Sequence, residues 1–476
     1  MTRPLAHGGR GMMGPLAHAL HRSVVYPLAT RLRGEGRVAA YLRELREVER
    51  LDPAALLRRQ DEKLARLLAW AAAESPWYGA RIPAGVTAAN AREVLAALPL
   101  LEKRTVQEHG AELRCRGFTG RVTAKSTGGS TGAPVRVDKG ADGVARERAV
   151  TWMALGWFGI GPGDRVARFW GTPLTPDRRL RSALADLASH RIRFPATQLA
   201  PEELDRHWRR CLRFRPAWLY GYASLLHLLA EHVERRGWDG RAAGIRLVVP
   251  TAEGLSPVQR EAVRRVFGAP VQNEYGCGEL GVMAYDCPRG GLHLMTETTL
   301  VEVLDDEGRE AEPGVTGEVV VTDLVNTHTP LIRYRLGDRA SKAAAPCSCG
   351  RGFRTLASVD GRIQDVVYTP LGRRWHGERI DYVLSRQWKE LGGFRQFQVV
   401  QTGPATLEVR LVSDEPLAPV LQERIRAEVA EQLDGMEAVV RRVDAVEREP
   451  NGKLRTVRND WIRAHDPARQ PADTTK

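Results

Sequence analysis

The order of apolar and polar positions divides the chain into helical and strand-like stretches. Over Leu51–Glu74, Leu57, Leu64, Leu68 and Ala71 recur at helical spacing between Arg, Gln and Glu side chains, which predicts a helix. The "SPWYG" run at Ser75–Gly79 is expected to stop it, because Pro76 cannot continue a helix and pushes the preceding residue out of helical angles. "IRLVVPT" (Ile245–Thr251) is short and apolar enough for a buried strand, and it lies between helical patterns at Ser224–Arg236 and Pro257–Phe267. That alternation predicts an α/β fold with parallel or mixed sheets. "LVEVLD" and "GEVVVTDL" (Gly317–Leu324) read as further strands that turn at "DDEGRE" and "EPG".

The last hundred or so residues change character. "FRQFQVVQ" and "TLEVRLV" read as strands, "PLAPVLQERIRAEVAEQL" as a helix ending before Gly435, and "EAVVRRVDAV" as another strand. This β-β-α-β order predicts a small separate α+β unit, with a boundary near Ser358–Asp365 where Gly361 is permissive. The expected organisation is a helical extension (1–50), a large α/β domain (51–360), a small C-terminal domain (361–463) and a polar, Pro-containing, disordered tail (464–476).

Composition narrows the function classes. With 476 residues, 43% of them hydrophobic, the chain can bury a large core in two or more domains. No run approaches 18 apolar residues, so no integral membrane segment is expected. The basic N-terminus has its apolar runs broken by His and Arg, which argues against a cleaved signal peptide and leaves an amphipathic surface helix open. Six cysteines are too few for a disulfide scaffold, so a reducing cytoplasm is expected. A net charge of +13 would suit a nucleic acid or a membrane surface, but the basic residues are mostly Arg, spread among acids, with no nucleic-acid motif. No nucleic-acid partner is expected.

Candidate chemistry begins at "KSTGGSTGAPVRV" (Lys125–Val137). Its glycines let backbone N–H groups crowd round an anion, and its hydroxyls add donors. It lacks the Gly-Lys-Ser/Thr of a Walker loop, so on its own it reads either as a phosphate cradle or as a flexible loop. "QNEYGCGEL" offers Tyr275 to stack on a purine and Glu279 to hold Mg2+ beside phosphates. "RYRLGD" offers Asp338 to two ribose hydroxyls, "DGRIQD" offers Arg362 to a phosphate, and "EPNGKLRTV" places Lys453 after a turn. Each also has a plain reading as a loop or turn.

Taken together, in this order and at these separations, the segments resemble the core motifs of the adenylate-forming superfamily, the acyl-CoA synthetases and their relatives. The closest likeness is to the phenylacetate–CoA ligase branch with its capsular polysaccharide biosynthesis (CapK)-like and coenzyme F390 synthetase-like members. It rests on "RRQDEKLARLLAWAAAESPWYG" followed by "LPLLEKRTV", on "AYDCPRGGLHL" and on "CSCGRGFRTLASVDGRIQD". The likeness spans roughly Leu51 to Val457. It implies a large N-terminal domain with mixed sheets and helices, and a small mobile C-terminal α+β domain that rotates between two half-reactions. It implies ATP binding by Ser126, Thr127, Gly128, Gly129, Ser130, Thr131, Gly132, Glu253, Tyr275, Gly276, Asp338 and Arg362. Lys453 and Glu279 would be catalytic, Glu279 as the Mg2+ ligand, and Gln364 and Asp365 would flank the hinge. The implied reaction joins a small-molecule carboxylic acid to AMP and passes the acyl group to coenzyme A. Delivery to an amine or a carrier-protein thiol, or transfer of AMP to a cofactor, is the alternative within the family. A non-catalytic nucleic-acid or membrane-surface binder is the alternative outside it. A homodimer is compatible with either. The chain departs from the family at Gly278, where many relatives have Thr, at Ala133, often Lys, and at Gln364, usually a charged hinge residue.

The family builds its acyl pocket partly before the "VVPTAEG" strand end. Here Tyr220, Gly221 and Tyr222, with Cys277, would line it, and Tyr220, Tyr222 and Trp218 would suit an aryl acid or else pack the core. A second set, Cys287 and His293 (C-x5-H) with Cys347 and Cys349 (C-x-C), contains enough ligands for a closed tetrahedral zinc site. The same C…H…C-x-C set in relatives favours a structural zinc over two buried cysteine pairs. Cys115 and Cys211 read as core residues.

Overall fold

The computed structural model describes residues 19–126, 135–171, 176–196, 199–362, 366–376, 393–449 and 453–461, and the single positions 380, 384 and 387; of residues 126, 176–181, 362, 366 and 374–376 it describes the backbone only. The Gly/Ser/Thr segment Thr127–Gly132, the hinge residues Gln364 and Asp365, and the tail after residue 461 therefore lie outside the described residues.

The strands, in chain order, are β1 (Val122–Ser126), β2 (Arg136–Gly140), β3 (Val166–Phe169), β4 (Arg191–Phe194), β5 (Trp218–Tyr222), β6 (Leu247–Thr251), β7 (Glu274–Cys277), β8 (Gly281–Asp286), β9 (Leu292–Leu294), β10 (Thr299–Leu304), β11 (Thr316–Asp323), β12 (Tyr334–Lys342), β13 (Thr355–Arg362), β14 (Val366–Tyr368), β15 (Arg374–His376), β16 (Gln396–Gln401), β17 (Thr406–Val412), β18 (Glu437–Val443) and β19 (Val457–Asn459). Eleven form one sheet in the order β10-β11-β12-β13-β9-β8-β7-β6-β5-β3-β4. From β7 to β4 every pairing is parallel, and from β7 to β10 every pairing is antiparallel. β7 is thus a seam between two sheet halves. Helices Pro176–Ala188, Pro201–Phe214, Ala223–Arg235 and Pro257–Phe267 connect the parallel strands, as a parallel ladder requires. β6 is buried along its whole length, which is why it reads as an unbroken apolar run.

Local chemistry sets the boundaries. Pro257–Phe267 starts with a capping box between Ser256 and Gln259, carries Pro at N1, and ends on Gly268 at φ +63°. Pro53–Glu74 is capped by Asp52, which accepts the Ala55 N–H. It stops at Ser75 as expected, but "PWYG" does not become a loop. Ser75 takes an extended conformation and caps a further short turn, Pro76–Gly79, with Pro at its first position. Before the Tyr275 segment, Val271 makes a single bridge to Val248, and the strand proper is Glu274–Cys277.

A separate four-stranded sheet, β18-β17-β16-β19, is covered by helix Pro419–Gln432, whose Leu421, Ile425 and Val429 are buried. In β17 alternate residues Leu407, Val409 and Leu411 point into that core. Cys115 and Cys211 are buried. Among the described residues no helix is long and apolar enough to cross a membrane.

Candidate active site at the sheet seam

In open α/β sheets the carboxyl ends of strands at a topological switch form a crevice. Here the switch strand β7 carries the Tyr275 motif. Across the strand ends, Tyr222 pairs with Thr251, and Thr251 with Glu274. The buried Glu274 carboxylate accepts hydrogen bonds from the Tyr220 and Thr251 hydroxyls, both 2.8 Å, and from Tyr285 at 2.7 Å. Burial pushes its pKa up, and the three hydroxyls counter this only in part. Glu274 therefore ties β5, β6, β7 and β8 together.

Ala252 follows β6 with φ +65°, a left-handed conformation costly for a residue with a Cβ. The next residue, Glu253, accepts the Ser224 N–H at 2.8 Å through Oε2 and the Leu454 N–H at 2.6 Å through Oε1. Leu454 is adjacent to Lys453, so this contact places the lysine, beside the four-stranded C-terminal sheet, at the end of β6. Arg448 donates to Ser224 Oγ at 3.0 Å, and the loop is closed by Glu449 N–H to Lys453 O at 2.8 Å and by an Arg448–Leu454 bridge.

On the antiparallel side, the Tyr275 hydroxyl donates to Asp338 Oδ2 at 2.9 Å. Gly337, at φ +83°, makes the turn-like backbone that presents Asp338, and Asp338 lies opposite Arg362 on β13. Gly276 sits at a register shift, where a Cβ would fall 2.7 Å from Gly281 O. Glu279 is buried and accepts from the Tyr334 hydroxyl at 3.2 Å. Tyr275, Asp338, Glu279 and the Lys453 loop are therefore gathered round the β6–β7 strand ends.

Ser126 and Arg136 are paired at the mouth of the β1–β2 hairpin and flank the Gly/Ser/Thr segment. The base of the hairpin is fixed by a buried ionic network. Lys139 lies 2.6 Å from Asp323 and also pairs with Glu147, which Lys125 reaches at 3.0 Å. Burial alone would raise the Glu147 pKa, but the two ammonium groups hold it down. These partners were invisible as a set in the sequence, because Lys139 and Asp323 are far apart along it; charged residues with no place in an amphipathic pattern are the signal they left.

Of the expected acyl-pocket aromatics, Trp218 packs into the core with Leu155, Ile160 and Leu247. Tyr220 and Tyr222 both face Trp170, with ring centroids 5.8 and 4.4 Å away. Burial pushes the Tyr222 phenol up to about 12 and the Cys277 thiol well above its usual range, which makes Cys277 a poor nucleophile. Gly221 is required by close approach, since a Cβ would lie 2.5 Å from Phe169 O.

Cys287, His293, Cys347 and Cys349 present ligand atoms that all lie within 4.8 Å of one another. Zinc bonds of about 2.0–2.3 Å give tetrahedral edges of roughly 3.3–3.8 Å. The Cys287–Cys347 sulfurs are 3.6 Å apart, and Cys349 Sγ is 3.2 Å from His293 Nε2. His293 Nδ1 lies 3.1 Å from the Phe353 carbonyl, which only accepts, so Nδ1 carries the proton and Nε2 turns its lone pair to the thiols. A Cβ on Gly291 would fall 2.6 Å from Cys347 Sγ. The residues fit a closed four-ligand site that would join the β8–β9 turn to the segment entering β13.

The AMP-binding enzyme family model matches residues 127–324. The chain is 28% identical over 334 residues to phenylacetate–coenzyme A ligase of Thermus thermophilus, covering 67% of this chain and 73% of that protein. It is 23% identical over 220 residues to protein CapK of Staphylococcus aureus, covering 46% of this chain and 47% of CapK. Among solved structures, 2-hydroxyisobutyryl-CoA ligase in the post-adenylation state matches with a TM-score of 0.71 at 21% identity, over 89% of this chain and 94% of that one. The same ligase in its thioesterification state scores 0.56 over 88% of this chain and 93% of that one, at 20% identity. Residues 127–324 thus match the AMP-binding enzyme family, and the chain as a whole is similar to phenylacetate–coenzyme A ligases and CapK, with the fold of 2-hydroxyisobutyryl-CoA ligase.

Proposed function

We propose that the protein activates a carboxylic acid with ATP and passes the acyl group to the thiol of coenzyme A. The observation that carries this is the Leu454–Glu253 hydrogen bond, which holds the lysine loop over the strand ends where Tyr275 and Asp338 meet. In the first half-reaction the substrate carboxylate attacks the α-phosphorus of ATP, pyrophosphate leaves, and an acyl-adenylate forms. Lys453 and the N–H groups and hydroxyls of Ser126–Gly132 would meet the charge that develops on phosphate oxygens. Asp338 would accept from ribose hydroxyls, and Glu279 would hold Mg2+ beside the phosphates. In the second half-reaction the thiolate attacks the acyl carbonyl and AMP leaves. The better match to the post-adenylation state supports reading this conformation as the one that serves adenylation, because the two reference structures share a sequence and differ in conformation.

The division at 361–463 as a mobile lid, with Gln364 and Asp365 at the hinge, is part of this proposal. So is a structural zinc on Cys287, His293, Cys347 and Cys349. The pair Tyr220 and Tyr222, with Trp170, supports a flat acid as substrate. A panel of carboxylates that includes phenylacetate, assayed by ATP–pyrophosphate exchange and then with coenzyme A, tests the function. Exchange followed by thioester formation is expected. Absence of exchange with every acid would overturn the proposal, and exchange without thioester would redirect it to an amine or carrier-protein acceptor.

A further inference from the structure

One face of the molecule exposes apolar surface that neither the nucleotide site nor the core accounts for. Residues 19–32 form a continuous helix in which His21–Val25 is a π turn. The Tyr26 N–H bonds five residues back to His21 O, so one extra residue is accommodated and His21, Tyr26 and Thr30 all face inward. His21 Nε2 is 3.1 Å from Leu187 O, and its ring stacks on His190 at 4.3 Å. Left outside are Leu20, Val24, Leu28 and Leu32, at i, i+4 spacing and between 51 and 70% exposed. Leu184 and Leu187, on the helix that His21 touches, are 61 and 63% exposed. These six are the majority of the eleven exposed large hydrophobics among the described residues.

Charge says what would cover such a face. Arg22 and Arg31 are exposed on the same helix. The first 33 residues contain Arg3, Arg10, Arg22, Arg31 and Arg33 and no acid at all, although the whole chain has 58 acids in 476 residues. An aliphatic line on a segment that carries arginines and no acid is complementary to an anionic bilayer, whose acyl boundary takes the first and whose headgroups take the second. A nucleic-acid backbone has no use for the aliphatic line.

We propose that helix 19–32, with Leu184 and Leu187 beside it, docks the protein flat on anionic membrane surfaces. The test is co-sedimentation of the full chain with phosphatidylcholine vesicles, with and without phosphatidylglycerol. Binding to the anionic vesicles that weakens with salt is expected. Each of Leu20→Glu and Leu28→Glu should lower partitioning about tenfold, the free-energy equivalent of one leucine leaving the bilayer. Arg22→Glu with Arg31→Glu should remove the preference for anionic lipid. Leu371→Glu, at an exposed leucine elsewhere, should change nothing. Because all these positions are exposed, the variants keep the fold, and unchanged thermal melting verifies that. No binding, equal binding to neutral vesicles, or insensitivity to the leucine changes would overturn the proposal. So would loss of self-association in Leu28→Glu measured by light scattering, which would make the face a contact between copies.

Discussion

The Glu253 strap makes the most direct prediction. Its two carboxylate oxygens accept two backbone N–H groups, one from Ser224 in the large domain and one from Leu454 in the small one. Glu253→Gln keeps size and shape but leaves one acceptor oxygen and one NH2. Whichever way the amide turns, one N–H loses its acceptor and meets a donor. A hydrogen bond to a charged acceptor contributes about 1.5–3 kcal/mol, so loss of about 2 kcal/mol lowers the docked population roughly thirtyfold. The two half-reactions should respond differently. ATP–pyrophosphate exchange should fall by that factor, because it needs the lysine loop in place. Thioester formation from supplied acyl-AMP should be little changed.

Three results would refute this reasoning. Equal loss in both half-reactions would mean that Glu253 serves the active site as a whole. Unchanged exchange would mean that the strap does not govern docking. A rise in the KM for ATP with an unchanged rate at saturation would make Glu253 a nucleotide ligand. Glu253→Ala removes both acceptors and should be the more severe change in exchange alone.

Further predictions concern the lysine, the thiol cluster and one buried carboxyl. Lys453→Ala should reduce pyrophosphate exchange about a hundredfold, the effect of losing one preorganised donor, while sparing thioester formation from acyl-AMP; a matched loss in both would contradict the two-conformation reading. Protein purified without chelator should hold one equivalent of zinc, and Cys349→Ala should release it and lower the melting temperature; metal-free wild-type protein of equal stability would contradict the site. Glu231, beside Arg235, His227 and the small-domain residues Arg395 and Asp414, has its pKa pushed up to about 7 by burial, while burial pushes His227 down to about 4. The folded state then keeps on Glu231 a proton that the unfolded chain releases near 4.5, so the Glu231 contribution to stability falls as pH rises from about 4.5 to 7, by about 3 kcal/mol at most, while the lowered His227 contributes in the opposite direction between about 4 and 6.5. In urea melts, Glu231→Gln should gain stability relative to the wild type between pH 5 and pH 8, and a pH dependence unchanged by the substitution would refute the assignment.

Much of the framework was legible in the sequence because it depends on local chemistry. Pro257–Phe267 carries its start and stop in Ser256, Pro257 and Gly268, and β6 reveals its burial through its unbroken apolar run. The residues Tyr275, Asp338, Glu279 and Lys453 could be singled out because their segments, in this order, resemble the motifs of a known family. The way they are held could not. Glu274 sits one residue before Tyr275 and looks like any strand acid until the fold brings Tyr220, Thr251 and Tyr285 to it. Lys139 and Asp323 are 184 positions apart, and only the fold makes them a pair. Local pattern records propensity, whereas ionic partners are chosen by topology.

The polar character of the strap also bears on the proposed movement of the C-terminal unit. Its apolar residues fall into clusters formed entirely from residues 367–457, and none of these clusters includes a side chain of the large domain. Contacts across the junction include Leu454 to Glu253, Arg448 to Ser224, and Arg235 to Asp414 at 3.4 Å. Exposed ion pairs such as the last contribute under about 1 kcal/mol, whereas the charged Arg448 guanidinium on the Ser224 hydroxyl contributes about 1.5–3 kcal/mol. Each contact of that kind is polar and contributes at most a few kcal/mol. A cored interface would lock one conformation and leave the enzyme able to perform one half-reaction only. Under the proposed two-step reaction, a Glu253 contact next to the loop that carries Lys453 would place the lysine for the first step, and its release would free the site for the thiol.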